Sequence, residues 1–98
     1  MPDYRISREA RFQLDGIYEY TEFRFGAKQA DVYAAGLTQT FQRLADSPKL
    51  GKALKGFVPP LRRYRFQSHF IFFNVEPDLV LIRAVHHARR NFVPDFIE

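Results

Sequence analysis

The chain has 98 residues, of which 46% are hydrophobic, and it carries 15 lysines and arginines against 11 aspartates and glutamates. This length supports one domain, residues 1–98, with a modest core, and the 16 aromatic residues with a net charge of only +4 argue against intrinsic disorder. The absence of cysteine excludes disulfides and thiolate zinc sites, and the sequence has neither a membrane-length apolar run nor a signal peptide, so we expect a cytoplasmic protein.

Two amphipathic helices are predicted in the first half of the chain. After an extended segment at residues 4–6, Ser7 is a suitable N-cap, because its hydroxyl can accept a hydrogen bond from a first-turn amide. Apolar residues then recur every three or four positions up to Gly26, which suits the left-handed position that ends a helix. A second such stripe runs to Ser47-Pro48, and the short link at Gly26 predicts an antiparallel helical hairpin. The first stripe comprises Ala10, Leu14, Ile17, Tyr18, Thr21 and Phe25, and the second Ala30, Tyr33, Ala34, Leu37, Phe41, Leu44 and Ala45.

The first helix carries more apolar surface than one buried stripe requires. Phe12, Gly16, Tyr20 and Phe23 follow a different side of it. Two interpretations remain open: a partner protein covers these aromatic side chains, or they are covered within the chain by the first strand or the C-terminal tail.

The second half of the chain predicts strands. A turn-rich basic segment at residues 48–60 precedes alternating residues 61–66, an aromatic and β-branched run at 69–75, and a last strand at 79–86. Because the links between these strands are short, an antiparallel meander is expected. The order β-α-α-β-β-β predicts an α+β fold in which the N-terminal helical hairpin packs on an antiparallel sheet.

The basic residues are concentrated in this second half. Residues 1–47 hold six basic and seven acidic side chains, whereas residues 48–98 hold nine basic and four acidic ones. Arg63 and Arg65 are expected on one strand face, opposite Tyr64 and Phe66, and Arg83 on a neighbouring strand could join them. Such a set suits an acidic partner, either nucleic acid or a protein segment, and a solvated surface is the alternative.

Several segments in order resemble the ParE toxins of the RelE/ParE superfamily. The resemblance spans about residues 4–92 and rests on the order and spacing of its segments rather than on any one of them. They are residues 7–20 (SREARFQLDGIYEY), 24–33 (RFGAKQADVY), 44–51 (LADSPKLG), 61–64 (LRRY), 68–73 (SHFIFF) and 82–86 (IRAVH).

This resemblance implies a RelE/ParE-like fold and the toxin half of a type II toxin–antitoxin pair. ParE members are understood to poison DNA gyrase, and a ParD-type antitoxin neutralises them by wrapping its flexible C-terminal segment around the toxin. We therefore expect a hetero-oligomeric toxin–antitoxin complex in which the antitoxin contributes an acidic, amphipathic segment. DNA gyrase is the expected target, and no membrane partner is expected. A toxin-like chain that retains antitoxin binding without toxicity is a further alternative.

The same superfamily includes ribosome-dependent mRNA endonucleases of the RelE type, which is the main alternative function. Such cleavage requires proton-transfer groups and cations near the phosphate, and His87, Arg63 and Arg83 are the candidates here. Phe92 stands roughly where those nucleases have a tyrosine, and its ring transfers no proton. The sequence also lacks a phosphate-binding glycine loop and metal-loop spacing, so no cofactor, no metal and no catalytic residue are expected in the favoured interpretation. A protein that inhibits by binding is expected.

Two sets of candidate interface residues follow. The antitoxin set combines the aromatic side of the first helix with the arginines, which can pair with carboxylates. The target set lies at the end of the last strand and in the tail. The antitoxin set is Phe12, Tyr20, Phe23, Arg63, Arg65 and Arg83, and the target set is His87, Arg89, Arg90 and Phe92.

Overall fold

The computed structural model describes residues 3–90, in which a helical hairpin packs on one face of a five-stranded sheet. This confirms the α+β class and the helical hairpin predicted from the sequence. The elements in chain order are β1 (Asp3–Ile6), α1 (Arg8–Phe25), α2 (Ala27–Asp46), a 3₁₀ turn (Pro48–Leu50), β2 (Lys52–Leu54), β3 (Leu61–Phe66), β4 (His69–Val75) and β5 (Leu79–His87).

The helix boundaries lie where the capping residues predict them. The Ser7 hydroxyl accepts a hydrogen bond from the Ala10 amide at 3.1 Å, as an N-cap should. Gly26 separates the two helices with φ of +94°, a backbone conformation that residues with a side chain rarely adopt. Its amide donates to the carbonyl oxygen of Glu22 at 2.9 Å, which closes the last turn of α1.

The strand order is β1-β5-β4-β3-β2, and β3, β4 and β5 form the expected antiparallel meander. Two expectations about the sheet were wrong. β1 pairs in parallel with β5, so the sheet is mixed, and the turn-rich segment, in which no strand was expected, contains β2, which pairs antiparallel with β3. The three residues of β2 are too few to show an alternating pattern, and the β1–β5 pairing joins opposite ends of the chain, where no turn sets the direction. β5 also extends one residue further than expected, to His87.

The main core lies between the sheet and α2. Leu37, Phe41 and Leu44 of α2 are buried against Phe73 and Ile82 of the sheet. The second predicted stripe is therefore confirmed as the principal buried helix face.

The first helix contributes much less to this core than its sequence suggests. Ala10 is its only buried residue among those described, Leu14 and Ile17 are partly buried, and Phe25, expected on the core stripe, is 64% exposed. The expectation for Phe25 was therefore wrong: it is the last residue of α1, and its ring lies at the rim of the helical hairpin rather than in the core.

On the sheet face away from the helices, a smaller cluster is formed by Leu61, Phe72 and Ala84, with Phe57 of the preceding loop packed against it. Neither helix of the described residues is long and apolar enough to cross a membrane.

Candidate functional site

The second apolar side of α1 is exposed in the structure. The side chains of Phe12, Tyr20 and Phe23 are 79%, 58% and 87% exposed. We call these three residues the α1 aromatic face. β1 leaves them uncovered, since its residue Tyr4 packs on Phe41 with ring centroids 5.6 Å apart. The C-terminal tail is the other segment proposed to cover these side chains, and its residues beyond position 90 lie outside the described part of the chain.

Beside this face, a groove of about 870 Å³ lies between α1 and the end of the sheet where β4 begins and β5 ends. We call it the α1 groove. Its helix wall includes Phe12, Gly16 and Tyr20, and its sheet wall includes His69 and His87. The volume lies in the range of sites that bind ligands or large side chains.

The floor of the α1 groove holds a connected set of polar rings. The Tyr33 hydroxyl lies 2.6 Å from Nδ1 of His69, and the same hydroxyl lies 3.4 Å from the carbonyl oxygen of Phe66. His69 is directly opposite His87 across β4 and β5, with ring centroids 5.2 Å apart. His69 therefore contacts both Tyr33 and His87 at the start of β4.

Burial controls the protonation of His69. Loss of hydration disfavours its charged form and, with the nearby His87 and His86, lowers the pKa of His69 to about 4. Burial likewise raises the pKa of Tyr33 above its ordinary value. At neutral pH the buried part of the groove floor is therefore uncharged, which favours an apolar occupant.

Two of the three arginines of β3, Arg63 and Arg65, lie on the opposite face of the sheet. The Arg63 guanidinium carbon is 4.4 Å from the centroid of the Phe70 ring, and that of Arg65 is 5.7 Å from it. Lys52 of β2 is directly opposite Arg63, so like charges are neighbours in this register. We call Arg63, Arg65 and Phe70 the outer arginine face. Guanidinium groups held over an aromatic ring are oriented so that their N–H groups can donate hydrogen bonds to a carboxylate or phosphate.

Arg83 has a different environment. It lies at the irregularity in the β4–β5 register, where Phe72 pairs with Ala84 and Phe73 with Ile82, leaving Arg83 as the extra residue. Its Nη1 donates to the side-chain oxygen of Asn74 at 2.8 Å, an interaction that holds it within the sheet.

The groups considered for RNA cleavage do not share one surface. The β-sheet register aligns Phe66 with His69 and His87, and it aligns Arg63 with Phe72. These two rows are three residues apart along the strands, and this odd spacing places them on opposite faces of the sheet. Within residues 3–90 there is also no group of three side chains suited to hold a metal ion.

The target set is only partly described. His87 is exposed at the end of β5, where its Nδ1 accepts a hydrogen bond from the Arg89 amide at 3.1 Å. Arg89 and Arg90 follow as exposed residues, and Arg90 lines the α1 groove. Phe92 lies outside the described residues. The target set thus adjoins the antitoxin set at the groove.

Two residues that shape this region are hard to identify from the sequence. Gly16 follows the aromatic side of α1, four residues from both Phe12 and Tyr20, and this spacing marks a gap between two rings. Gln13 contacts β5 in the structure, and no sequence pattern shows that contact.

The family model described as "ParE toxin of type II toxin-antitoxin system, parDE" matches residues 4–92 of the chain. Toxin ParE1 of Caulobacter vibrioides is 35% identical over 88 residues, which is 90% of this chain and 92% of the relative. Toxin ParE of Escherichia coli is 34% identical over 96 residues, 95% of this chain and 91% of the relative.

Two solved structures are similar in fold. One is titled "Chromosomal ParDE TA system from P. aeruginosa", with a TM-score of 0.74, 19% identity, and coverage of 89% of this chain and 96% of that one. The other is the toxin-antitoxin complex RelBE2 of Mycobacterium tuberculosis, with a TM-score of 0.66, 20% identity, and coverage of 89% and 99%. At these identities the two structures support the fold.

Proposed function

Since the chain belongs to the ParE toxin family of type II toxin–antitoxin systems, we propose that it inhibits DNA gyrase and is neutralised by a ParD-like antitoxin. The observation that carries the antitoxin part of this proposal is the exposed α1 aromatic face. Three aromatic side chains aligned on one helix are an unusual feature of a free monomer and are typical of a surface that a partner covers.

The antitoxin's chemistry follows from the two surfaces. The α1 aromatic face suits the apolar side of an amphipathic helix. The outer arginine face suits carboxylates of the same acidic segment after it passes around the sheet. Arg83 lies near this face on β5, because the register aligns Arg63 with Phe72 and Phe72 with Ala84, but Asn74 holds it. Arg63 and Arg65 are therefore proposed as the main ion-pairing residues, and Arg83 as a secondary one.

The gyrase part of the proposal is supported by family membership and by the location of the target set. His87 and Arg90 line the α1 groove and Arg89 precedes Arg90 in the chain, so an antitoxin bound in the groove would cover this part of the target set. Masking of the target set by the antitoxin accounts for neutralisation without a separate inhibitory site.

Purified chain should block supercoiling by gyrase or increase cleaved DNA, and the Arg89→Ala/Arg90→Ala variant should weaken this effect. The antitoxin should be encoded by a neighbouring reading frame with a ribbon-helix-helix start and an acidic helical tail, and adding it should restore supercoiling. Unchanged supercoiling at excess toxin, with new 5′ ends in mRNA from a translating extract, would replace this function with the ribonuclease alternative.

Antitoxin binding can be tested separately from gyrase. The Arg63→Ala variant should lose affinity for the antitoxin by about 2–5 kcal/mol if the arginine pairs with a carboxylate that the complex buries. Arg43→Ala, at an exposed position near the end of α2, serves as the control for loss of one positive charge. Equal affinities of the two variants would remove Arg63 from the interface.

A further inference from the structure

We propose that Gly16 forms a notch in the α1 groove that receives one large apolar side chain of the antitoxin's amphipathic helix. This inference rests on the proposed antitoxin partner and names the point at which that partner inserts. The notch is bounded by Phe12 on one side and Tyr20 on the other, each four residues from Gly16 and on the same face of α1.

The fold of the free chain does not require glycine at this position. A Cβ atom built on Gly16 meets no heavy atom within 4 Å among the described residues, and the residue lies near the middle of an 18-residue helix. Glycine is an unfavourable residue in a helix interior because it has no side chain to restrict the unfolded chain. At Gly36 of α2, by contrast, packing does require glycine, since a Cβ there would lie 2.7 Å from Cζ of Phe66.

The open space at Gly16 faces the α1 groove, which is itself lined mainly by apolar and aromatic atoms. A side chain at position 16 would fill the space between the rings of Phe12 and Tyr20. With glycine there, a partner can bring its own side chain, and its helix backbone, closer to α1.

Charge indicates which partner fits. No aspartate or glutamate is found among the described residues that line the groove, whereas the cationic side chain of Arg90 lies along it. Arg24 extends this positive side, with its guanidinium carbon 5.9 Å from the centroid of the Tyr20 ring. An occupant with an apolar face and flanking carboxylates complements these residues, which fits the acidic, amphipathic segment proposed for the antitoxin better than a second copy of this basic chain.

The decisive variant is Gly16→Ala, because the inference predicts effects of opposite sign on stability and binding. The melting temperature of the free toxin should rise by roughly 4–8 °C, as expected for replacing glycine by alanine inside an exposed helix. Affinity for the antitoxin, measured by calorimetry, should fall about tenfold, and Gly16→Leu should lower it more than a hundredfold by filling the notch. A purely structural role for Gly16 cannot produce a more stable toxin that binds more weakly.

Glu19→Leu is the matched control, since it adds the same side chain to an exposed position of α1 that does not line the groove. Its affinity should equal or slightly exceed that of the unmodified toxin. If the unmodified toxin binds the antitoxin and the Gly16→Leu variant binds it with the same affinity, the notch is overturned and the proposed function stands. Failure of the unmodified toxin to bind any antitoxin would overturn both. A dimer of the free toxin that Gly16→Leu dissociates would assign the groove to a second copy and overturn the inference as well.

Discussion

The side-chain oxygen Oε1 of Gln13 accepts a hydrogen bond from the backbone amide of Val85 at 2.8 Å, so α1 completes the edge of β5. β1 pairs with β5 only as far as Ile82. Beyond that point the Ser7 hydroxyl donates a hydrogen bond to the carbonyl oxygen of Arg83 at 3.2 Å, and the Gln13 side chain accepts the one from the Val85 amide. The side chains of the N-cap Ser7 and of Gln13 in α1 therefore take the place of a neighbouring strand along this part of β5, and they fix one wall of the α1 groove.

Replacing Gln13 with leucine should lower the free energy of unfolding by about 1–3 kcal/mol, because the amide of buried Val85 would lose its partner. Chemical denaturation measures this change. Gln39→Leu, on an exposed part of α2, makes the same substitution and should alter stability by less than about 0.5 kcal/mol. Equal midpoints for the two variants would show that the Val85 amide is satisfied in another way.

A second prediction concerns Gly51, which follows the 3₁₀ turn. A Cβ built there would lie 2.5 Å from Cζ of Phe73, a ring that is fully buried. Gly51→Ala should therefore destabilise the protein by about 1–3 kcal/mol through overpacking. Thermal unfolding followed by circular dichroism measures the loss.

The companion substitution Gly51→Ala/Phe73→Leu tests the cause. Because leucine is shorter than phenylalanine, the second change should recover part of the stability lost by the first, although Phe73→Leu alone is destabilising. Strictly additive losses would mean that the two residues do not collide.

The helices and the meander were predictable because their signals are local. Ser7 and Gly26 mark helix boundaries by capping chemistry, and the α2 stripe repeats with the period of a buried helix. The pairing of β1 with β5 joins segments more than seventy residues apart, and nothing in either segment encodes its direction.

The sequence predicts the aromatic side chains of the candidate site but not the groove beside them, because only the former have a local signal. An excess of aromatic residues on α1 is visible as a second stripe, so Phe12, Tyr20 and Phe23 could be named in advance. The groove beside them depends on how α1 lies against β5, which is fixed by the Gln13 contact and has no periodic signature. Helical periodicity therefore indicated a second apolar side on α1 but not the shape of the groove beside it.

The hydroxyl of Tyr33 offers a test of the groove floor. Tyr33→Phe removes the group that lies 2.6 Å from Nδ1 of His69 and should lower the free energy of unfolding by about 1 kcal/mol. Tyr18→Phe makes the same change at a surface hydrogen bond to Asp31 and should cost less than about 0.5 kcal/mol. A larger loss for Tyr18→Phe than for Tyr33→Phe would contradict the assignment of the buried contact.

The stability of the protein should depend on pH through His69. Its pKa is lowered to about 4 in the folded protein, mainly by burial, whereas an unfolded histidine titrates near 6.5. As the pH falls through this interval the unfolded chain takes up a proton that the folded His69 does not. The free energy of unfolding should therefore decrease between about pH 6.5 and 4 and lose this dependence above that range.

His69→Asn should flatten the pH dependence across that interval, because asparagine does not titrate and its side chain can still reach the Tyr33 hydroxyl. His86, whose pKa is also lowered by burial and by Arg90, contributes a remaining slope in both proteins. His87→Asn is the control: it removes one cause of the His69 shift and leaves burial, the larger cause, in place, so most of the dependence should persist. Denaturation curves at a series of pH values make this comparison, and parallel profiles for the unmodified protein and His69→Asn would show that His69 is hydrated and titrates normally in the groove.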